Sequence, residues 1–303
     1  MSIKSLKTDI LIVGAGPAGL TAGLYVARAG KKALVLEGRG PSRLAISYTL
    51  ENYPGFPSIN SRALLDIVRG QATSFGAEVV AGDAVAFGLD GSPKYVTTKD
   101  AVIEAGAVIL ATGKPVPKER LIPGEDRLVG QGVSYCATCD GPLFRGASVA
   151  AAGPSEEALE DVHALQAMGC RVLWVPGKAG GAADSDAARA LEAAGVTIRR
   201  DAKVREIRGG QRVEGVLLEG PSGPEEVPVA AVFVFRESPA GPLFERAGIA
   251  LDHKQCVAVD RFQRTNIPGV YAAGDITCGG LQVVAAAGEG CVAAMQALSY
   301  LRK

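Results

Sequence analysis

An α/β protein of two three-layer nucleotide-binding domains, one inserted in the other, is predicted from three observations. A strand–glycine–helix–strand unit opens the chain, a second unit of the same pattern begins near residue 147, and a late apolar strand stops at Gly274 and Asp275. Both units read as Rossmann-like. The 303 residues give room for two domains, each with its own core.

The elements follow in order. "TDILIV" (residues 8 to 13) is a short apolar run of the kind a buried parallel strand shows, and "GAGPAG" (14 to 19) follows before a helical pattern from Leu20 to Ala29 that Gly30 ends. "KALVLE" (32 to 37) is the next strand, and Glu37 stands at its C-terminal end. A later strand, Ala107 to Ala111, stops at Thr112 and Gly113, and Pro115 and Pro117 make a stiff exit that reads as a linker. The second unit runs through "ASVAAAG" (147 to 153), a helix at about Glu156 to Met168, and "CRVLWV" (170 to 175). "AVFVF" (231 to 235) mirrors the earlier strand, and "RESPAGP" after it reads as a second linker. "GVYAAGDI" (269 to 276) and an alanine-rich helix complete the outer unit. The expected domains are therefore 1–115 with 241–303 outside and 116–240 inside, joined by two proline-containing crossings that are hinge candidates.

Composition removes several function classes. With 32 basic and 32 acidic residues the formal charge is zero, which favours neither nucleic acid nor an anionic membrane as partner. Met1 to Thr8 has no signal-peptide pattern and no run of about eighteen apolar residues occurs, so a soluble, cytoplasmic protein is expected. Six cysteines, four of them scattered, do not form a secreted disulfide framework.

Glycines 14, 16 and 19 permit a tight turn, close backbone approach to a pyrophosphate and close helix packing. The helix start supplies free N–H groups, and Glu37 can accept from an adenosine ribose. The motif by itself does not separate FAD from NAD. "YCATCD" (135 to 140) carries the chemistry. Cysteines three apart in one turn lie within disulfide range, so Cys136 and Cys139 can exchange a disulfide reversibly. Asp140, if burial raises its pKa, can protonate a departing sulfur. A zinc site would need two more ligands, and His163 and His253 are the chain's two histidines; the other readings of the pair are a metal site and a structural bond. Cys170, Cys256, Cys278 and Cys291 read as small buried hydrophobes, and Trp174 as core.

"GAGPAGL", "ENYPGFP" (51 to 57), "ATGKPVPK", "YCATCD" and "GVYAAGD" occur in the order and spacing of the low-molecular-weight thioredoxin reductases, which the chain resembles over almost its whole length. The resemblance implies a homodimeric FAD enzyme that reduces a thioredoxin disulfide. It implies a flavin held by Gly14, Gly16, Pro17, Ala18, Gly19, Glu37, Asn52, Thr112, Gly113, Asp275, Gln282 and Val283. It also implies that Cys139 lies nearest the flavin, that Cys136 attacks the substrate, and that Asp140 is the acid.

Three departures from the family pattern bear on the electron donor. In the inserted unit, Ala151, Gly153 and Glu156 are read at the three fingerprint positions, and Glu156 with Glu157 put carboxylates where a pyrophosphate should bind. After the next strand, "VPGKAGG" replaces the His-Arg-Arg clasp of NADPH users, leaving Lys178 as the cation. "SRLAISYT" replaces a Gly-Gly-Gln and brings Tyr48 near the expected flavin. The chain thus resembles ferredoxin-dependent flavin thioredoxin reductases and atypical relatives, with ferredoxin or flavodoxin as donor. The alternatives are an ordinary NADPH-dependent thioredoxin reductase and a non-catalytic flavin-binding redox sensor. A disulfide close to a flavin is too enclosed for a protein substrate, so rotation about hinges near Lys114–Lys118 and Glu237–Gly241 is expected.

Overall fold

A computed structural model describes residues 3–38, 42–45, 49–114, 121–177, 181–236, 241–279 and 281–302. The chain divides into two compact units, 1–116 with 238–303 and 117–237.

The outer unit begins with β1 (Lys4–Val13), α1 (Pro17–Arg28) and β2 (Ala33–Glu37). β3 (Thr49–Leu50) and β4 (Ile59–Asn60) form a small antiparallel ribbon leading into α2 (Ser61–Ser74). The side chain of Asn60 caps α2 by accepting from the Arg62 and Ala63 N–H groups. β5 (Glu78–Ala81), β6 (Ala86–Gly88), β7 (Lys94–Thr97) and β8 (Ala101–Leu110) follow. β5, β2, β1 and β8 run parallel in that order.

β1 shows how the sequence builds three layers. Its apolar run is buried on both faces, as a covered parallel strand must be. Ile10 and Ile12 point into the core shared with Leu20 and Val26 of α1. Leu11 and Val13 point the other way, among Leu89, Val96 and Ile103. Each such side chain contributes about 1.5–3 kcal/mol by leaving water.

The inserted unit comprises α3 (Glu125–Leu128), β9 (Val133–Ser134), α4 (Ala137–Asp140), β10 (Ser148–Ala152), α5 (Glu156–Ala167), β11 (Arg171–Val175), α6 (Asp186–Ala193) and β12 (Thr197–Ile198). An antiparallel meander of β13 (Lys203–Arg208), β14 (Gly215–Gly220) and β15 (Gly223–Pro228) precedes β16 (Ala231–Val234). The parallel sheet has the order β12-β11-β10-β16-β9. Its core holds the fully buried Trp174 and Phe233. Glu125, also fully buried, pairs with Arg236 through both guanidinium nitrogens and accepts from the Tyr135 hydroxyl at 2.9 Å.

The chain then completes the outer unit with α7 (Gly241–Arg246), β17 (Val270–Ala272) and α8 (Val283–Tyr300). β17 adds in parallel to the second half of β8, while β7 pairs antiparallel with its first half. The 18 residues of α8 are long and apolar enough, by composition, to cross a membrane. Here Ala293, Ala294, Ala297 and Leu298 of that helix pack into the outer unit's core.

Candidate functional site

Parallel strands end together, so the sheet of the outer unit gathers the predicted flavin residues at its C-terminal edge. Gly14 follows β1, Glu37 ends β2, Thr112 and Gly113 follow β8, and Asp275 follows β17. Gly14 has φ +117°, and a Cβ there would overlap the Ala111 carbonyl, so glycine is required by the packing of the turn on β8. Gly16 caps α1 without a side-chain hydrogen bond, Pro17 opens the helix, and its first turn has no acid. The leading N–H groups of α1 are thus left for an anion, and among the described residues a Cβ at Gly16 would meet only Ser42 Oγ, at the ordinary contact distance of 3.6 Å.

Asn52 Nδ2 donates to Gln282 Oε1 at 3.3 Å, joining two expected flavin neighbours that lie 230 positions apart. Gln282 is the N-cap of α8 and Val283 its first residue. Asp275 begins a 3₁₀ turn, Asp275–Thr277, whose preceding residue, Gly274, packs on Ala18 of α1. Glu289 of α8 holds that turn: its Oε2 accepts from Gly274 N at 2.7 Å and from Thr277 Oγ1 at 3.0 Å. Burial pushes the Glu289 carboxyl up, as does the nearby charge of Asp275, while the two donors pull it down. Glu37 is paired with Arg69 of α2, so the expected ribose acceptor carries a guanidinium partner. These residues fit the group that the fingerprint anticipates: an open helix start for the pyrophosphate, and acidic and amide side chains around it.

In the inserted unit, Cys136 and Cys139 are joined in a disulfide with their Cα atoms 5.4 Å apart, inside the ordinary range. Cys136 is the N-cap of α4, and its Sγ accepts from the Cys139 N–H at 3.1 Å. A hydrogen bond to sulfur favours the thiolate over the thiol. Ser134, at the end of β9, organises the turn. Its Oγ accepts from Cys136 N at 3.1 Å and donates to Asp140 Oδ2 at 2.6 Å. Burial raises the Asp140 carboxyl above its usual value, and the Ser134 hydroxyl acts in the other direction. Both cysteines and Asp140 are half-buried.

The second fingerprint needs a correction of register. The residue with the turn geometry of Gly14 is Gly153, with φ +143° and a Cβ that would overlap the Phe235 carbonyl. Gly153 therefore takes the first glycine position rather than the middle one, Ser155 the second and Ala158 the third. β10 ends at Ala152, one residue before that turn, and so Ala151 is strand rather than turn. What departs from a nucleotide site is the helix start. Ser155 caps α5, accepting from Ala158 N at 3.2 Å, and Glu156 and Glu157 occupy its first turn. Trp174 donates from Nε1 to the Gly153 carbonyl at 2.9 Å from within the core. Arg200 holds the segment after β11 through the Ala183 carbonyl and Asp184, and it is paired on both nitrogens with Glu192.

Tyr48 and Lys178 lie outside the described residues, as does most of each expected hinge. His163 and His253 are exposed. The reading of Cys256 and Cys278 as separate buried thiols is also corrected, because the structure joins them in a disulfide. Ser134, Arg69 and Glu289 were not anticipated. Serine two residues before a redox cysteine is a faint sequence signal; the other two act across 32 and 15 positions and leave none.

The family model of pyridine nucleotide-disulphide oxidoreductases matches residues 8–290. A thioredoxin reductase of Streptomyces coelicolor is 38% identical over 303 residues, covering 97% of this chain and 94% of that protein. The crystal structure of thioredoxin reductase from Streptococcus pyogenes matches with a TM-score of 0.83 at 31% identity, covering 98% of both chains. A ferredoxin-flavin thioredoxin reductase from Clostridium acetobutylicum matches with a TM-score of 0.54 at 31% identity, covering 98% of this chain and 99% of that one. The chain belongs to the pyridine nucleotide-disulphide oxidoreductase family. Within it, the protein is a flavin-dependent disulfide oxidoreductase of the thioredoxin reductase kind, and it binds FAD.

Proposed function

We propose that the protein reduces the disulfide of a thioredoxin through Cys136 and Cys139, and that a ferredoxin- or flavodoxin-type protein, rather than NADPH, supplies its electrons. The observation that carries the donor assignment is the start of α5, where Ser155 satisfies the helix and two glutamates stand in its first turn. A dinucleotide pyrophosphate would meet a capped helix end and two like charges there. A one-electron protein donor needs no nucleotide fingerprint.

In this reading residues 1–115 and 241–303 hold FAD, and 116–240 is the NAD(P)H-domain-like unit that carries the dithiol. Gly14, Gly16, Pro17, Ala18 and Gly19 hold the pyrophosphate, Glu37 the ribose, and Asn52, Asp275, Gln282 and Val283 the rest of the group, with Thr112 and Gly113 beside them. When bound, FAD supplies the two electrons that open the Cys136–Cys139 bond. The Cys136 thiolate then attacks one sulfur of the substrate disulfide, forming a mixed disulfide and expelling a thiolate that takes the Asp140 proton. Cys139 attacks Cys136 Sγ, the second substrate thiol departs, and the Cys136–Cys139 bond is restored. Rotation of the inserted unit, in a homodimer, would present the pair first to flavin and then to substrate.

A second reading, ordinary NADPH use, draws on Gly153, whose positive φ keeps the turn of a dinucleotide fingerprint, and on Ala158, a small residue at its third position. One experiment separates the two. Anaerobic protein is mixed in parallel with NADPH, NADH and reduced ferredoxin while flavin absorbance is followed. Bleaching by ferredoxin with none by NADPH is expected; rapid bleaching by NADPH at stoichiometric concentration would establish the second reading instead.

A further inference from the structure

We propose that Cys256–Cys278 is a second thiol–disulfide exchange site, distinct from Cys136–Cys139, and that dithiols acting on it control how tightly the outer unit holds its flavin. The inference rests on the reading that Asp275 and its turn contact the flavin.

Both cysteines belong to the outer unit, with Cα atoms 5.9 Å apart and 22 positions between them. Cys278 ends the 3₁₀ turn that Asp275 begins, and its N–H donates to the Asp275 carbonyl at 3.3 Å. It holds φ +57°, a conformation unfavourable for a residue with a side chain, which persists only where its surroundings impose it. The surroundings here are a covalent bond. Cys256 is anchored in turn: its N–H donates to Asp252 Oδ1 at 2.9 Å, and the next residue, Val257, donates to the Ile276 carbonyl at 2.8 Å. The turn is thus held by Glu289 at Gly274 and Thr277, by Val257 at Ile276, and covalently by Cys256 at Cys278.

Cys278 is half-buried and Cys256 is 2% exposed, so an incoming thiolate reaches Cys278. Attack on Cys278 Sγ forms a mixed disulfide and frees Cys256, which is protonated. The reagent's second thiol then displaces Cys278, and the reagent leaves as its own disulfide. Two electrons and two protons pass from dithiol to protein. With the link gone, Cys278 can leave the left-handed conformation, and the hydrogen bond to Asp275 is no longer enforced. The flavin-side turn then keeps Glu289 and the Val257–Ile276 hydrogen bond but loses its covalent anchor.

The test uses holoprotein, as wild type and as the Cys136→Ser/Cys139→Ser variant, equilibrated in mixtures of reduced and oxidised dithiothreitol. Thiols are trapped with iodoacetamide and assigned by peptide mass, and flavin retention is followed by ultrafiltration. In the double variant Cys256 and Cys278 should pass together from linked to alkylated, and flavin loss should quicken about tenfold as they do, the release of one strained residue. Cys278→Ser holoprotein should lose flavin at the fast rate in either buffer. Alkylation of both cysteines in fully oxidised buffer, or equal flavin loss before and after reduction of the wild type, would overturn the proposal. Asp275→Asn separates the layers: it should shed flavin in both buffers, and if it retains flavin like the wild type the reading of the site itself fails.

Discussion

In the proposed mechanism, Asp140 is the acid that protonates the departing sulfur. Its carboxyl is raised by burial, while the hydroxyl of Ser134 holds it down. As an acid it acts in the protonated form, so the rate of substrate disulfide reduction should fall as pH rises through this elevated pKa. Asp140→Asn should abolish that limb and slow the step by about 10²–10⁴-fold, measured by stopped flow with excess oxidised thioredoxin. Ser134→Ala removes the group that favours the ionised form, so the falling limb should move to higher pH; an unmoved limb would exclude a positioning role. The sign carries over to stability. The folded carboxyl binds its proton more tightly than the unfolded chain does, so its contribution is complete below the unfolded pKa and is lost as pH rises through the folded one. Asp140→Asn should therefore flatten that part of the pH–stability curve.

At the scale of elements, α1 and α5 are the informative pair, because the same turn introduces two helices with opposite ends. Helix α1 starts on an uncapped glycine with no acid, whereas α5 starts on a serine cap with Glu156 and Glu157 behind it. Ser155→Ala should cost about 1 kcal/mol, read as a lower midpoint in urea. If, as proposed, the two carboxylates keep dinucleotides away, Glu156→Gln/Glu157→Gln should tighten NADP⁺ binding roughly tenfold by calorimetry, two helix-end charges of up to about 1 kcal/mol each being removed. No change would place the obstacle elsewhere. This contrast was partly legible beforehand: the two glutamates were visible in "GPSEEA", but the register was not. Small residues on both sides of Gly153 allow several alignments, and the choice depends on which residue meets the Phe235 carbonyl.

At the scale of the whole molecule, the units carry separate reporters. Trp174, the single tryptophan, is buried in the inserted unit, whereas the proposed reading gives the flavin to the outer one. Arg236 neutralises the fully buried Glu125 in the inserted unit, 111 positions away in sequence. Arg236→Met leaves that carboxylate without its cation and should lower the inserted unit's stability by about 3–5 kcal/mol. Trp174 fluorescence should then report unfolding at lower urea while flavin release stays near its wild-type midpoint. Glu125→Met/Arg236→Met should recover much of the loss, because no lone charge remains.

The strands at 8–13, 32–37, 107–111, 147–153, 170–175, 231–235 and 269–276, the first glycine fingerprint and the Cys136–Cys139 pair were legible in the sequence alone, whereas β3 to β7, β9 and β12 to β15 were not. The legible features rest on short-range physics: apolar periodicity over a strand, glycine at a turn, two sulfurs in one helical turn. Tertiary structure decided the pairing of Cys256 with Cys278, the guanidinium on Glu37, the anchoring of the Asp275 turn by Glu289, and the position of Gly153 within its fingerprint. Those contacts join residues that local pattern leaves independent, and their partners are chosen by how the sheets and helices close on one another.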